Sequence, residues 1–248
     1  MKNQSLRLSR NRSGLAVGLA VAGLGWTVWW AASAEAAIST WQNMSGGDFT
    51  NAANWVGGVP GTGDTAQFLS NASYTVTFSS SVTNQYGVFA HSSGTTTLDL
   101  GSGNEWRLLG ASDSVAFQGA GGTVNLNGGT LSMADKFGLG SIVGANNNTF
   151  QVYGGAVINL NGTFGDAYLG ENGFGNTMII SNGASLLTTR DVALGYNAGG
   201  SNTTVVVTGN GSVMRLPRQL VVGRQSDHNL LRIEAGGFVS NYTAYVGG

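Results

Sequence analysis

Short runs in which apolar and polar residues alternate recur along the chain, separated by glycine and asparagine. Alternation with a period of two is typical of β-strands, because successive side chains point to opposite faces. In the second half of the chain one triplet recurs before a glycine and supplies two apolar columns: Ala167, Val192, Leu220 and Ala244, then Leu169, Leu194, Val222 and Val246. A further apolar column is predicted at Ile179, Val207 and Ile233. These columns predict repeats that stack in parallel with their apolar side chains inside.

Two glycines mark each repeat at nearly constant intervals of 24 to 28 residues. The first markers are Gly144, Gly170, Gly195, Gly223 and Gly247, and the second markers are Gly155, Gly183, Gly211 and Gly237. A period of about 26 residues, with β-branched runs between turns, is what one coil of a solenoid requires. Asn-Gly pairs at Asn127, Asn161, Asn172, Asn182 and Asn210 predict corners with positive φ.

The sequence therefore predicts an all-β fold, a right-handed parallel β-helix (β-solenoid) with three strands per coil. The repeats occupy residues 71–248, and the last repeat is incomplete. Runs at 74–78, 95–100, 107–110 and 121–133 are interpreted as the earlier coils. A β-sandwich is the alternative fold, because short strands with regular turns also build one.

Residues 37–70 are predicted to form an N-terminal cap segment, in which tryptophans and phenylalanines stand among glycines and turn formers. Bulky side chains on irregular loops can shield the first coil from water and from pairing at its edge. A second interpretation makes Trp41 and Trp55 platforms on which sugars stack.

Composition narrows the classes of function. The chain has 41 glycines and 9% charged residues, which excludes a helical protein. It has no cysteine, which excludes disulfides and thiolate metal sites. With a formal net charge of −1 it offers no basic surface, so we expect no nucleic-acid partner.

The N-terminus predicts export. Four cations precede an apolar run from about residue 15, which ends in Ala-x-Ala spacing. Residues 1–36 are interpreted as a signal peptide cleaved after Ala36, with an uncleaved membrane anchor as the alternative. Membrane contact is expected only through this segment, and the protein is expected to be secreted or located at the cell surface.

The segment 41–68 follows the pattern W…GGDF…NW…G..PG..D.A.F. This pattern resembles the start of exported bacterial proteins with autotransporter-associated β-strand repeats, many of which carry a C-terminal PEP-CTERM sorting signal. The resemblance covers about thirty residues, and the later repeats match in style only. It implies an exported β-solenoid of the cell surface.

Catalytic and metal-binding templates do not fit the sequence, which lacks the nucleophile-elbow, zinc-protease, phosphate-loop and calcium-loop motifs. Its two histidines, His91 and His228, fall in different coils and are interpreted as exposed turn residues. We therefore expect no cofactor and no metal.

Two aspartates and two arginines form a candidate catalytic site. Asp166 and Asp191 lie four residues before marker glycines, and Arg190 and Arg218 lie five before them. Stacked coils would place the two carboxylates about 5 Å apart beside arginines, as in a retaining glycosidase or a calcium-dependent polysaccharide lyase. The alternative is a solvated corner in which arginines neutralise stacked acids.

A binding face is a further hypothesis. The outward strand column reads Tyr168, Ala193, Val221 and Tyr245, and the column after the marker glycine reads Glu171, Tyr196 and Arg224. Tyrosines on a flat β-face can stack on sugars or pack against another solenoid.

These observations favour a non-catalytic, exported structural or adhesive module that forms the N-terminal part of a longer protein. A polysaccharide-degrading enzyme and a carbohydrate-binding module are the alternatives. The expected partners are an extracellular polysaccharide or another cell-surface protein, and the open last coil predicts end-to-end self-association.

Overall fold

The computed structural model describes residues 36–247. Within them it contains β-strands and a single 3-10 helix, Ala52–Asn54, and the strands form three sheets whose neighbours come from successive coils. Every pairing between coils is parallel. The predicted parallel β-solenoid with three strands per coil is confirmed, and the β-sandwich alternative is wrong.

Sheet 1 contains ten strands and carries the candidate site. Its strands are β1 Ile38–Trp41, β3 Trp55–Val56, β4 Thr65–Phe68, β7 Tyr86–Phe89, β10 Val115–Phe117, β13 Phe137–Leu139, β16 Ala167–Leu169, β19 Val192–Leu194, β22 Gln219–Val222 and β25 Thr243–Val246. All of its pairs are parallel except β1 with β3, which closes the N-terminal edge of the sheet with an antiparallel strand.

Sheets 2 and 3 complete each coil. Sheet 2 contains β2 Gly47–Asp48, β5 Tyr74–Thr77, β8 Thr95–Asp99, β11 Thr123–Asn127, β14 Thr149–Tyr153, β17 Thr177–Ser181, β20 Thr204–Thr208 and β23 Leu230–Glu234. Sheet 3 contains β6 Val82–Asn84, β9 Glu105–Leu108, β12 Thr130–Met133, β15 Val157–Leu160, β18 Ser185–Leu187, β21 Val213–Arg215 and β24 Phe238–Ser240. The runs interpreted as earlier coils all contribute strands.

The two apolar columns predicted in sheet 1 are confirmed by the strand register, and their members pair with one another from coil to coil. In the column predicted in sheet 2, the pairing of Val207 with Ile233 is confirmed, but the member from β17 is Ile180 rather than Ile179. Ile180 pairs with Val207 and is fully buried, whereas Ile179 pairs with Val206 and is half-buried on the outer face. Because β17 contains three consecutive apolar residues, alternation alone does not identify the inward positions.

The marker glycines follow the ends of the sheet 1 strands, where the backbone turns with positive φ. Gly170, Gly195 and Gly223 have φ of 68°, 66° and 75°, a conformation that glycine adopts without steric cost. The earliest marker was predicted at Gly144, but the register assigns it to Gly140, because Leu139 pairs with Leu169. The turn after β13 contains Ile142 and Val143 directly before Gly144, which imitates the apolar run before a marker glycine and displaced the alignment.

Three of the five Asn-Gly pairs behave as predicted, since Gly128, Gly183 and Gly211 have positive φ. Gly162 and Gly173 do not share that conformation. They are required for close approach instead, because a Cβ there would lie 1.5 Å and 2.1 Å from the backbone oxygens of Ala134 and Ala145.

Aromatic side chains fill the core at the N-terminal end. Trp41 and Trp55 are 1% and 3% exposed, and their rings meet edge-on at 5.1 Å between centroids. Each indole N–H donates to a backbone oxygen, that of Asn43 for Trp41 and that of Phe49 for Trp55. Because both rings are buried in the core, the interpretation of Trp41 and Trp55 as sugar platforms is wrong.

The predicted signal peptide lies outside the described residues, apart from Ala36 at its end. From residue 36 to residue 247, no helix is long and apolar enough to span a membrane.

Candidate functional site

The corner before sheet 1 holds the predicted aspartates in consecutive coils. Asp166 precedes β16 and Asp191 precedes β19, so parallel stacking puts them on neighbouring rungs. The Oδ1 atom of Asp166 accepts the backbone N–H of Asp191 at 2.9 Å. The Oδ1 atom of Asp191 accepts the backbone N–H of Gln219 in the following coil, also at 2.9 Å. Each carboxylate therefore joins its own coil to the next.

The predicted arginines are also brought to this corner. Arg190 Nε lies 3.5 Å from Asp166 Oδ1, and Arg218 Nε lies 3.7 Å from Asp191 Oδ1. Each arginine faces the carboxylate of the preceding coil, so the four residues form a staggered ladder. The Arg190 Nε atom is buried and has no hydrogen-bond partner among the described residues. Its contact with Asp166 is therefore an ion pair rather than a hydrogen bond of good geometry.

The residues of this corner were predicted to be solvated. For Asp166 this prediction is wrong, because Asp166 is only 6% exposed. Burial raises the pKa of the Asp166 carboxyl above its ordinary value, although the Asp191 N–H and the Arg190 guanidinium both oppose the shift. Asp191 is more accessible, with a side chain 23% exposed. Of the two carboxylates, only Asp191 borders the recess described below.

Tyr168 and Tyr196 form the centre of a stack that runs along the axis of coil stacking. Their rings lie 4.1 Å apart at 19° between planes. Lys136 from the preceding coil places its Nζ 5.0 Å from the Tyr168 centroid, and Arg224 from the following coil places its guanidinium carbon 4.3 Å from the Tyr196 centroid. Such cation–π contacts cover the ring faces that a sugar would need. The two half-buried rings are therefore not free to stack on a sugar.

A recess of about 240 Å³ lies on the outer face of sheet 1 beside this stack. It is lined by Tyr168, Arg190, Asp191, Ala193, Tyr196, Gln219, Val221 and Arg224. The sequence predicted both outward columns that form it. The register confirms the predicted outward column of Tyr168, Ala193, Val221 and Tyr245, and of these four only Tyr245 does not line the recess.

Larger depressions lie elsewhere among the described residues. One of about 560 Å³ is formed by residues 222–229 with Val246 and Gly247 at the last described coil. Another, of about 430 Å³, lies on sheet 1 nearer the N-terminus and includes Ile38 and Ile142. Two more, of about 470 Å³ and 250 Å³, meet at Gly101. None of the four has two arginines among its lining residues, so the recess beside the tyrosines is the better candidate for a site.

Sequence reasoning missed an ionic cluster at Lys136. Its Nζ lies 3.1 Å from both Asp113 Oδ1 and Glu171 Oε1. Burial lowers the pKa of Lys136, but the two carboxylates outweigh it and the pKa lies above its ordinary value. Burial raises the pKa of Glu171 against the attraction of Lys136. The three residues come from different coils and occupy different columns, so no repeat pattern reveals the cluster.

A ladder of buried amides at the corner before sheet 2 was also missed. Asn148 Oδ1 accepts the Gly122 N–H at 3.3 Å, and Asn176 Oδ1 accepts the Asn148 N–H at 2.9 Å. Asn229 repeats the contact with the Thr203 N–H at 2.9 Å. The signal was present in the sequence, because each of these asparagines directly precedes the first residue of a sheet 2 strand.

The histidines differ from each other. His228 is exposed in a turn with φ of 60°, as predicted. His91 was also predicted to be exposed, but it is 3% exposed, with Nδ1 3.2 Å from the Ser93 carbonyl oxygen and Nε2 3.4 Å from Thr96 Oγ1. Burial lowers the pKa of His91. Across residues 36–247, no group of three histidine or acidic side chains is arranged to hold a metal ion.

Comparisons of the chain with protein-family models, with curated proteins and with solved structures give no match. The site is therefore interpreted from its own geometry.

Proposed function

We propose that the protein is a non-catalytic, exported β-solenoid module with a structural or adhesive role at the cell surface or in the extracellular space. The observation that carries this proposal is the use of the corner carboxylates. Asp166 and Asp191 each accept a backbone N–H from the next coil, so the acids that would perform chemistry hold the coils together. This is the role expected of structural corner residues in a stacked fold.

The shape and surface of the fold support a scaffold role. Parallel stacking extends a solenoid by about 4.8 Å per coil, so the chain makes a stiff element from few residues. Only 9% of its residues are charged. A weakly charged, repetitive side surface suits contact with neutral or weakly acidic polymers rather than with nucleic acid.

Export is supported by the N-terminal sequence, in which cations, an apolar run and small residues follow one another in signal-peptide order. The resemblance of residues 41–68 to exported repeat proteins supports the same conclusion. The proposal predicts a mature protein beginning at Ala37. Intact mass of the protein recovered from the culture medium and from the cell envelope tests this, and recovery from the cytoplasm alone would contradict export.

Polysaccharide degradation is the second candidate function, because Asp191 and Arg190 both border the recess. Two assays separate the candidates: the release of reducing ends and the release of unsaturated ends from a panel of neutral and acidic polysaccharides. We expect no product from the parent protein. Product formation that is abolished in Asp191→Asn but retained in the exposed-surface variant Asp227→Asn would establish the enzyme instead.

A further inference from the structure

The outward-facing column of sheet 1 has large side chains at both ends and small ones between them. Tyr168 and Tyr245 are large, whereas Ala193 and Val221 between them are small. The small pair forms the floor of the recess, and Tyr168 forms its wall on the side of the earlier coils. Because the recess encloses about 240 Å³, it is smaller than sites for drug-sized ligands and has room for one small ring.

The two arginines of the recess stand on opposite sides of this floor. Arg190 precedes β19, and Arg224 follows β22. Arg190 is paired with Asp166 through its buried Nε, at 3.5 Å, so it borders the recess without being free for a ligand. Arg224 is exposed, and within that range its only ionic or aromatic contact is the face of Tyr196. The Arg224 guanidinium stacks on the Tyr196 ring, and its N–H groups are free to bind an anion.

We propose that this recess binds a hexuronate residue of an acidic polysaccharide, with the sugar carboxylate on Arg224. A guanidinium matches a carboxylate through two parallel N–H···O bonds. The ring lies over half-buried Val221, since Ala193 is 2% exposed, while Tyr168, Tyr196 and Gln219 supply polar groups for its hydroxyls. A small inorganic anion would use the arginine but not the floor.

This inference rests on the proposed adhesive role and names its partner class. The experiment is calorimetric titration of the full chain with an oligogalacturonate, beside its methyl-esterified form, at low ionic strength. We expect the acidic oligomer to bind and the ester to bind at least about tenfold more weakly, because esterification removes the charge that Arg224 recognises.

Three variants locate the site. Arg224→Gln removes the guanidinium, and Val221→Trp fills the recess with a large side chain. Each substitution should weaken binding about 10- to 100-fold. Arg215→Gln is the matched control, since Arg215 is an exposed arginine on sheet 3 and its loss changes the net charge equally. It should leave the affinity unchanged, and thermal melting should show all three variants folded.

Equal binding of the ester, undiminished binding by Arg224→Gln or Val221→Trp, or no binding by the parent would each overturn the inference. These results would leave the non-catalytic role standing, because that role is judged by product formation. Cleavage of the oligomer, seen as new reducing ends in the same sample, would instead contradict the proposed function.

Discussion

At the scale of single residues, the fold depends on buried amides that bond to two coils at once. Asn176 is fully buried, and its Oδ1 accepts the Asn148 N–H while its Nδ2 donates to the carbonyls of Ala145 and Gly173. A buried polar group left without its partner costs more than an average hydrogen bond contributes. Asparagine at this corner is therefore a structural requirement.

Replacing Asn176 tests this directly. Asn176→Ala leaves one N–H and two carbonyls without the amide, and we expect the free energy of unfolding to fall by about 3 kcal/mol. Asn210→Ala, at an exposed corner, should change it by less than about 0.5 kcal/mol. Denaturant unfolding measures both. Equal stability of the two variants would show that the ladder contributes little.

Asp166 should stabilise the fold as a hydrogen-bond acceptor, whereas its buried negative charge should destabilise it. Asp166→Asn keeps an oxygen for the Asp191 N–H, so stability at neutral pH should change by less than about 1 kcal/mol, whereas Asp166→Ala should lose about 1–3 kcal/mol. Because burial raises the pKa of Asp166, the folded state binds more protons than the unfolded state above about pH 3.9. The free energy of unfolding should therefore fall as pH rises through the folded pKa.

Denaturant unfolding at several pH values measures that slope. The Asp166→Asn variant should lack the part of the slope that Asp166 supplies. Identical profiles for the parent and this variant would contradict the assignment of a desolvated carboxylate.

His91 should make stability depend on pH in the opposite direction. Burial lowers its pKa in the folded state, so the unfolded state binds more protons below about pH 6.5. Stability should be unaffected above that value and should decline as pH falls towards the folded pKa. His91→Gln should remove this decline, even if the substitution also lowers stability equally at every pH. His228→Gln should retain the decline. Melting temperature against pH measures both, and a parent-like slope in His91→Gln would refute the prediction.

The residues of the candidate site were predictable in part. The positions of Asp166, Asp191, Arg190 and Arg218 follow from the repeat, because parallel stacking brings equivalent positions together. The burial of Asp166 does not follow, because it depends on how the neighbouring side chains cover the corner. The contact between Lys136 and Glu171 was not predictable, since it joins different columns of coils that differ in length.

At the scale of the strand, one residue of register decides which side chains form the core. In β17 the buried positions are Met178 and Ile180, and Ile179 faces outward. A slip of one residue would exchange the inner and outer sets. The register is fixed because the pairs on both sides of β17 are consistent.

A pair of substitutions measures that register. Ile180→Ala removes fully buried methyl groups and should lower the free energy of unfolding by about 2–5 kcal/mol. Ile179→Ala, the matched change one residue earlier, should cost less than about 1 kcal/mol, since the side chain is half-buried at the surface. Denaturant unfolding distinguishes them, and the reverse order would contradict the register.

Strands in sheet 1 were predictable because apolar residues stand at alternate positions and a glycine ends each run. The register was less predictable where this simplicity fails. Consecutive apolar residues in β17 conceal the inward face, and the apolar pair before Gly144, in the turn after β13, moved the predicted marker from Gly140 to Gly144. Both errors arise where the sequence pattern allows two alignments of the repeats, and only the packing of the stacked coils decides between them.

At the scale of the whole molecule, each coil contacts its neighbours in sequence, so stability is close to a sum of coil and interface contributions. At the N-terminal edge of sheet 1, β3 pairs with β1, and buried aromatic rings pack in the core there. The parallel coil architecture was predictable from period and composition. The side surface was not, since a recess depends on the sizes of residues in three successive coils.

The corner carboxylates bind neighbouring coils through backbone N–H groups, and amide hydrogen exchange measures this contact. The N–H of Asp191 bonds to Asp166 Oδ1. Its exchange should be at least about tenfold faster in Asp166→Ala than in the parent, and should stay protected in Asp166→Asn. An Asp191 amide that exchanges equally slowly in all three proteins would contradict the claim and leave Asp166 free for another role.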